Sequence, residues 1–451
     1  MMPLRFVTAA LSGIALAACA GIAPGPPAQP AGHAAGRHAT AGSPISHIVV
    51  IIQENRTVDD LFNALPGANT QSWGYNKLGQ VVSLQPEPLS APYGLSHEHK
   101  YFLTEYDGGK MDGFSIEAFK CFARQKRKCP PRDLAAYAYV PQYDVQPYYT
   151  LAETYTFADE TFESGEGPSF PAHQYLVSGT SAISNGSTRL ASENPEDQQD
   201  IGAQGGCDSI PSTTVQTIDP RGKEGSAVFP CFQRNSIMDL MNAAYVSWHY
   251  YQAFGGAGEW HAPDAVEQIW SSPSYANVIW PSSQVLTDIY NGKLASVNFV
   301  TPTAQSSDHP GANDGSGPSW VASVVNAIGQ SSYWSSTAIV VVWDDWGGFY
   351  DHVTPTVRNS YELGMRVPMI VISPYAKAGY VSHVPYEFGS ILKFIEESFA
   401  LPSLGTTDAG ANDLSDCFNF AAKARPFKRI AAKYSASYFL RQPVDRTTPD
   451  Y

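Results

Sequence analysis

Apolar residues in this chain gather in short runs that do not alternate with polar ones. Residues 47–52 read His-Ile-Val-Val-Ile-Ile, and residues 338–343 read Ala-Ile-Val-Val-Val-Trp. Unbroken β-branched runs of this length predict strands buried on both faces, the pattern of a parallel sheet covered by helices. Residues 297–301 and 366–373 predict further strands, and 245–251 alternates as a strand does. Between them, 235–244, 319–328 and 388–399 carry apolar positions at helical spacing, while 149–160 reads as a helix or as a helix passing into a strand. Strands separated by helical stretches, several too far apart for hairpins, predict a three-layer α/β/α fold with a mostly parallel central sheet.

Polar groups crowd where two of these strands end. The first runs into Gln53, Glu54, Asn55 and Arg56; the second runs into Asp344, Asp345, Trp346, Gly347 and Gly348. Such sheets bind ligands beyond the carboxyl ends of their strands. Adjacent carboxylates repel each other and lose hydration together, so they need a cation, a hydrogen-bond cage or solvent. A lone Asp-Asp pair also fits a solvated turn. Glu54 with Asn55, a second cluster of the same build, shifts the reading towards metal ligands. Carboxylate and amide oxygens suit a divalent cation such as magnesium, calcium or manganese, and the paired glycines allow close backbone approach to whatever the acids hold.

The hydroxyl such an ion would activate is that of Ser169, which glycines and prolines present at a tight turn within Ser-Gly-Glu-Gly-Pro-Ser-Phe-Pro, residues 164–171. A serine in such a setting is also a common turn residue. No Gly-x-Ser-x-Gly elbow surrounds it, so a lipase-type serine hydrolase has little support. His97, His309 and His352 lie in polar settings near strand ends, where a histidine can bind phosphoryl oxygens or protonate a leaving alkoxide; each also fits a structural role. His99 and His173 rank below them, Asp351 is placed to orient His352, and Lys110 is either a phosphate contact or a solvated lysine.

With 451 residues and 43% hydrophobic content the chain can bury a large core. Its net charge of −14 argues against nucleic acid as a partner but leaves room for a small phosphorylated substrate beside a local cation. Residues 1–19 have the form of an export signal ending in a lipobox-like Leu-Ala-Ala-Cys19, which implies a lipidated, membrane-anchored envelope protein; simple secretion is the alternative. Residues 20–44, rich in Ala, Gly and Pro, read as a tether, and 45–451 as one catalytic domain with inserted loops at about 100–150 and 183–235. Proximity pairs Cys121 with Cys129 and Cys207 with Cys231, leaving Cys417 odd. The basic loop 120–128 reads as a solvated turn, or as a contact to anionic lipid or substrate.

Five segments stand in one order: His-Ile-Val-Val-Ile-Ile-Gln-Glu-Asn-Arg-Thr from His47, Gly-Pro-Ser-Phe-Pro-Ala-His around Ser169, Asp-His-Pro from Asp308, Trp-Asp-Asp-Trp-Gly-Gly-Phe-Tyr-Asp-His-Val from Trp343, and Arg-Val-Pro-Met-Ile-Val-Ile-Ser-Pro from Arg366. Together they resemble the bacterial phosphoesterase family that contains phospholipases C and respiratory-burst-inhibiting acid phosphatases. The resemblance implies an alkaline phosphatase-like fold, Glu54, Asn55, Asp344 and Asp345 as metal ligands, and Ser169 as a nucleophile that also touches the metal. It places His97, His309 and His352 around the phosphoryl group, with His97 preferred to its near neighbour His99. Phospholipase C members carry a Thr-x-Pro-Asn-Arg turn, whereas this chain has Ser169-Phe-Pro-Ala-His; that departure and Asp-Asp-Trp-Gly-Gly lean towards the phosphatase branch. The expectation is a metal-dependent phosphoric ester hydrolase, acid-phosphatase-like, acting through a phosphoserine. The alternatives are a phospholipase C-type phosphodiesterase on phospholipids and a non-catalytic ligand-binding surface lipoprotein.

Overall fold

The first predicted strand, β1 (His47–Gln53), is the spine of the domain, and Ile48 to Ile52 are wholly buried. A computed structural model describes residues 43–123, 129–197 and 205–447. The expected export signal, nearly all of the expected tether and the middle of the basic loop lie outside the described residues.

Eight strands form the central sheet: β1, β2 (Thr156–Ala158), β3 (Trp248–Tyr251), β4 (Val278–Ile279), β5 (Val297–Val300), β6 (Thr337–Trp343), β7 (Met369–Ile372) and β8 (Tyr380–Ser382). Their spatial order is β4-β3-β5-β1-β6-β7-β2-β8. All neighbours pair parallel except β7, which runs antiparallel to both β6 and β2. The sheet is therefore mostly parallel, as the unbroken apolar runs predict. The short strands β4 and β8 at its two edges have no such signal in the sequence.

Register decides where the chemistry goes. Strand β1 pairs with β6 from His47 opposite Thr337 to Gln53 opposite Trp343, so Glu54 and Asp344 leave the sheet side by side. Ile51 lies opposite Val300 of β5, which sends residues 301–309 to the same end.

Helices cover the sheet in two groups. The first contains α2 (Gln146–Thr154) and α4 (Gly317–Gly329), which pack on each other; the second contains α3 (Ser169–Ser178) and α5 (Phe388–Phe399), which do the same. Every residue of α3 is buried. A separate apolar cluster, including Leu95, Phe102 of α1 (His99–Tyr106), Phe114 and Tyr137, takes in Trp346, Phe349 and Tyr350 from the loop after β6. The 100–150 segment thus packs on the loop that carries the acid pair. Both proximity pairings are disulfides, Cys121 to Cys129 and Cys207 to Cys231, and Cys417 is a buried thiol.

Candidate active site

At the carboxyl ends of β1 and β6, Glu54, Asn55, Asp344 and Asp345 are all fully buried. Asn55 ties the pair together. Its backbone N–H donates to Asp344 Oδ1 at 3.0 Å, and its side-chain amide donates to Asp345 Oδ1 at 2.9 Å and Oδ2 at 3.1 Å. To do so Asn55 adopts a left-handed backbone at φ 59°, a conformation Asn tolerates better than most residues. Gly347, at φ 62°, lets the loop fold over: a Cβ there would lie 2.5 Å from Asn55 O. The close approach that this glycine permits is to the Asn55 backbone.

Ser169 is the first residue of α3, and its hydroxyl donates to Asp345 Oδ2 at 3.1 Å. The helix N-terminus places partial positive charge where an attacked phosphoryl group would sit. One turn further along, His173 approaches the other carboxylates, with Nε2 3.3 Å from Glu54 Oε1 and 3.7 Å from Asp344 Oδ2. The proposed oxygen ligands and Ser169 are thus brought together, and His173, ranked low from sequence, joins them. Its signal was the four-residue spacing from Ser169, which aligns two side chains on one helix face.

The donor set fits a divalent cation. Asp344 Oδ2 and Asn55 Oδ1 are buried and receive no hydrogen bond, an unfavourable state for an acceptor unless a cation or water satisfies it.

His97 Nδ1 faces Leu95 O at 3.1 Å, and its Nε2 faces the Asn55 amide nitrogen at 3.1 Å. His309 Nδ1 faces Pro310 O at 3.0 Å, and its ring lies 6.0 Å from that of His97. In each, the carbonyl oxygen accepts a proton held on Nδ1, so Nε2 is the nitrogen left for chemistry. Asp308 anchors the second histidine by accepting from Tyr148 Oη at 2.8 Å and Trp343 Nε1 at 3.0 Å.

His352 is not part of this group. Its Nδ1 pairs with Asp59 at 2.7 Å and its Nε2 with Asn69 at 3.0 Å, so both ring nitrogens are engaged elsewhere. Asp351 does not orient it either; that carboxylate is gripped by two Arg366 nitrogens at 2.9 and 3.0 Å. The sequence placed His352 correctly in its loop, but Gly347 and Gly348 turn the chain before it arrives. Exposed Lys110 pairs with half-buried Asp107 at the surface. His99 lies behind the site, between Glu166 Oε2 at 3.3 Å and Glu224 Oε1 at 3.1 Å. Burial would lower its pKa, but hydrogen bonds to those two carboxylates outweigh this and raise it to about 9.

A cleft of about 810 Å³ opens onto the site, lined by His97, His309, Pro168, Glu193, Glu224 and Glu259 among others. Its acidic wall pushes Glu193 up to about 9, through burial and then through the charges of Glu224 and Glu98.

Residues 45–402 match the model of the phosphoesterase family. The chain belongs to this family. Phospholipase C B of Mycobacterium tuberculosis is 25% identical over 446 residues, covering 85% of this chain and 79% of that protein. Non-hemolytic phospholipase C of Pseudomonas aeruginosa is 24% identical, covering 90% of this chain and 62% of the longer relative. Non-specific phospholipase C3 of Arabidopsis thaliana is 24% identical over 84% of this chain and 76% of its own. Among solved structures, a protein in the alkaline phosphatase superfamily from Vibrio parahaemolyticus aligns over 83% of this chain and 72% of that one, at 9% identity and a TM-score of 0.37. Family membership makes this phosphoesterase a hydrolase of phosphoric ester bonds.

Proposed function

We propose that this phosphoesterase transfers the phosphoryl group of a phosphomonoester to Ser169 and then to water. The supporting observation is the Ser169 hydroxyl at a helix N-terminus, bonded to a buried carboxylate within the four-ligand cluster. Glu54, Asn55, Asp344 and Asp345, with Ser169, would hold a divalent ion. Such an ion screens charge on the phosphoryl group.

The residues divide the remaining work. Ser169 Oγ attacks phosphorus as its proton passes towards Asp345, forming the serine–phosphorus bond while the ester P–O bond breaks. His97 Nε2 accepts from Asn55, so the acid that protonates the departing alkoxide is His309, which enters the step with a proton on Nε2 and gives it up. Water then attacks the phosphoserine and gives a proton to His309, the serine–phosphorus bond breaks, Asp345 returns the proton to Ser169, and phosphate leaves. The buried nucleophile and its ligand cluster argue against a non-catalytic binder, which needs neither.

A second reading, phospholipase C-type cleavage of a phosphodiester, draws support from the relatives' names and from the acidic cleft, which suits a cationic headgroup. The serine turn favours the monoesterase. Turnover of an aryl phosphate and of phosphatidylcholine, each assayed with several divalent metals, separates the two. The aryl phosphate is expected to react faster. Preference for phosphatidylcholine would establish the second reading, and turnover of neither would remove both. We further propose export and anchorage through a lipidated Cys19; a Cys19→Ala variant that still fractionates with membranes would contradict it.

A further inference from the structure

The oxygen ligands alone suit magnesium or calcium, but the structure adds a nitrogen. His173 is fully buried, and its Nε2 lies 3.3 Å from Glu54 Oε1 and 3.7 Å from Asp344 Oδ2. One ligand atom from each of these three residues falls within 4.8 Å of the other two, the spacing at which three donors can share one ion. Asp344 Oδ2, the buried oxygen that receives no hydrogen bond, belongs to this same triangle. The Trp260 ring lies nearly parallel to the imidazole, with centroids 6.4 Å apart and planes at 14°, and backs it from one side.

We infer that His173 Nε2 is a ligand of the metal ion, and that the site therefore prefers a late first-row ion such as zinc or cobalt to magnesium or calcium. Imidazole favours such ions, whereas magnesium and calcium favour sets made of oxygen alone. The inference rests on the reading of Glu54 and Asp344 as metal ligands and goes beyond it, because the ion's class follows from a residue that the oxygen set does not include.

The test uses the full chain stripped of metal and titrated with zinc and with calcium by calorimetry. Zinc is expected to bind at one ion per chain and to resist displacement by excess calcium or magnesium. In His173→Ala, zinc affinity should fall roughly a hundredfold, while calcium affinity stays within a few-fold. X-ray absorption at the zinc edge of the loaded wild-type protein reads the same point without a variant. An imidazole shell supports the inference, and a shell of oxygen alone overturns it even if His173→Ala fails to fold. Calcium bound more tightly than zinc, with phosphoester turnover intact, would overturn this inference alone. A wild-type chain that binds no divalent ion would overturn it together with the metal reading.

Discussion

Asn55 holds Asp344 through its backbone and Asp345 through its side chain, and its amide nitrogen also meets His97. One residue in a strained backbone conformation thus sets the positions of three others, a use of strain common at functional sites. It also separates the roles of the two histidines. With His97 committed to Asn55, His309 is the group left to protonate a leaving alcohol. Replacing His309 with Asn should lower kcat by about 10²–10⁴ on an alkyl phosphate. The loss should be much smaller on a nitrophenyl phosphate, whose leaving group needs no proton. Equal losses on both substrates would show that His309 binds substrate without acting as the acid.

At the scale of elements, the site is made by strand register and two turns. The loop after β6 is held by a buried ion network in which Arg366 grips Asp351 at 2.9 Å and His352 pairs with Asp59 at 2.7 Å. Arg366→Met would leave Asp351 buried without its cation, a change that costs about 3–5 kcal/mol. Chemical denaturation should show the loss; a change under about 1 kcal/mol would mean that the network does not hold the loop. This network also marks the limit of what the sequence makes legible. Continuous apolar runs reveal β1 and β6, and the polar residues at their ends reveal Glu54, Asn55, Asp344 and Asp345, because register is a local consequence of burial. His352 follows the same motif by only a few residues, but a turn built on Gly347 and Gly348 carries it to Asp59. His173 illustrates the reverse. It lies on a wholly buried helix, where the four-residue spacing from Ser169 is its one signal, and its role depends on what the helix faces. The antiparallel direction of β7 is likewise set by tertiary pairing and leaves no trace in a run of four apolar residues.

Across the whole molecule, burial has raised the pKa of many acids outside the metal ligands. Asp60 and Asp308 are pushed up to about 6, Glu396 to about 7 and Glu193 to about 9, in each case chiefly by burial. In the unfolded chain such groups titrate near 4. At these acids the folded state binds more protons than the unfolded state between about pH 4 and pH 9, so their contribution to stability falls as pH rises through that window; half-buried His47 and buried His261, lowered to about 4 by burial, oppose it only below about pH 6.5. His99 acts in the same direction. Its ion pairs with Glu166 and Glu224 contribute fully below its unfolded pKa of about 6.5 and are lost as pH passes about 9. Denaturation midpoints of the metal-free protein should accordingly be higher at pH 5 than at pH 9; a flat or rising profile would contradict this account of the buried acids.

The central claim is that Ser169 carries the phosphoryl group, and trapping that state tests it most directly. Wild-type protein mixed with an aryl phosphate, quenched in acid within a turnover and digested should yield the peptide containing Ser169 heavier by one phosphoryl group. Ser169→Ala should lose both the label and turnover while keeping its fold and its metal. Full turnover by Ser169→Ala, or a phosphoryl group trapped on another residue, would contradict the account.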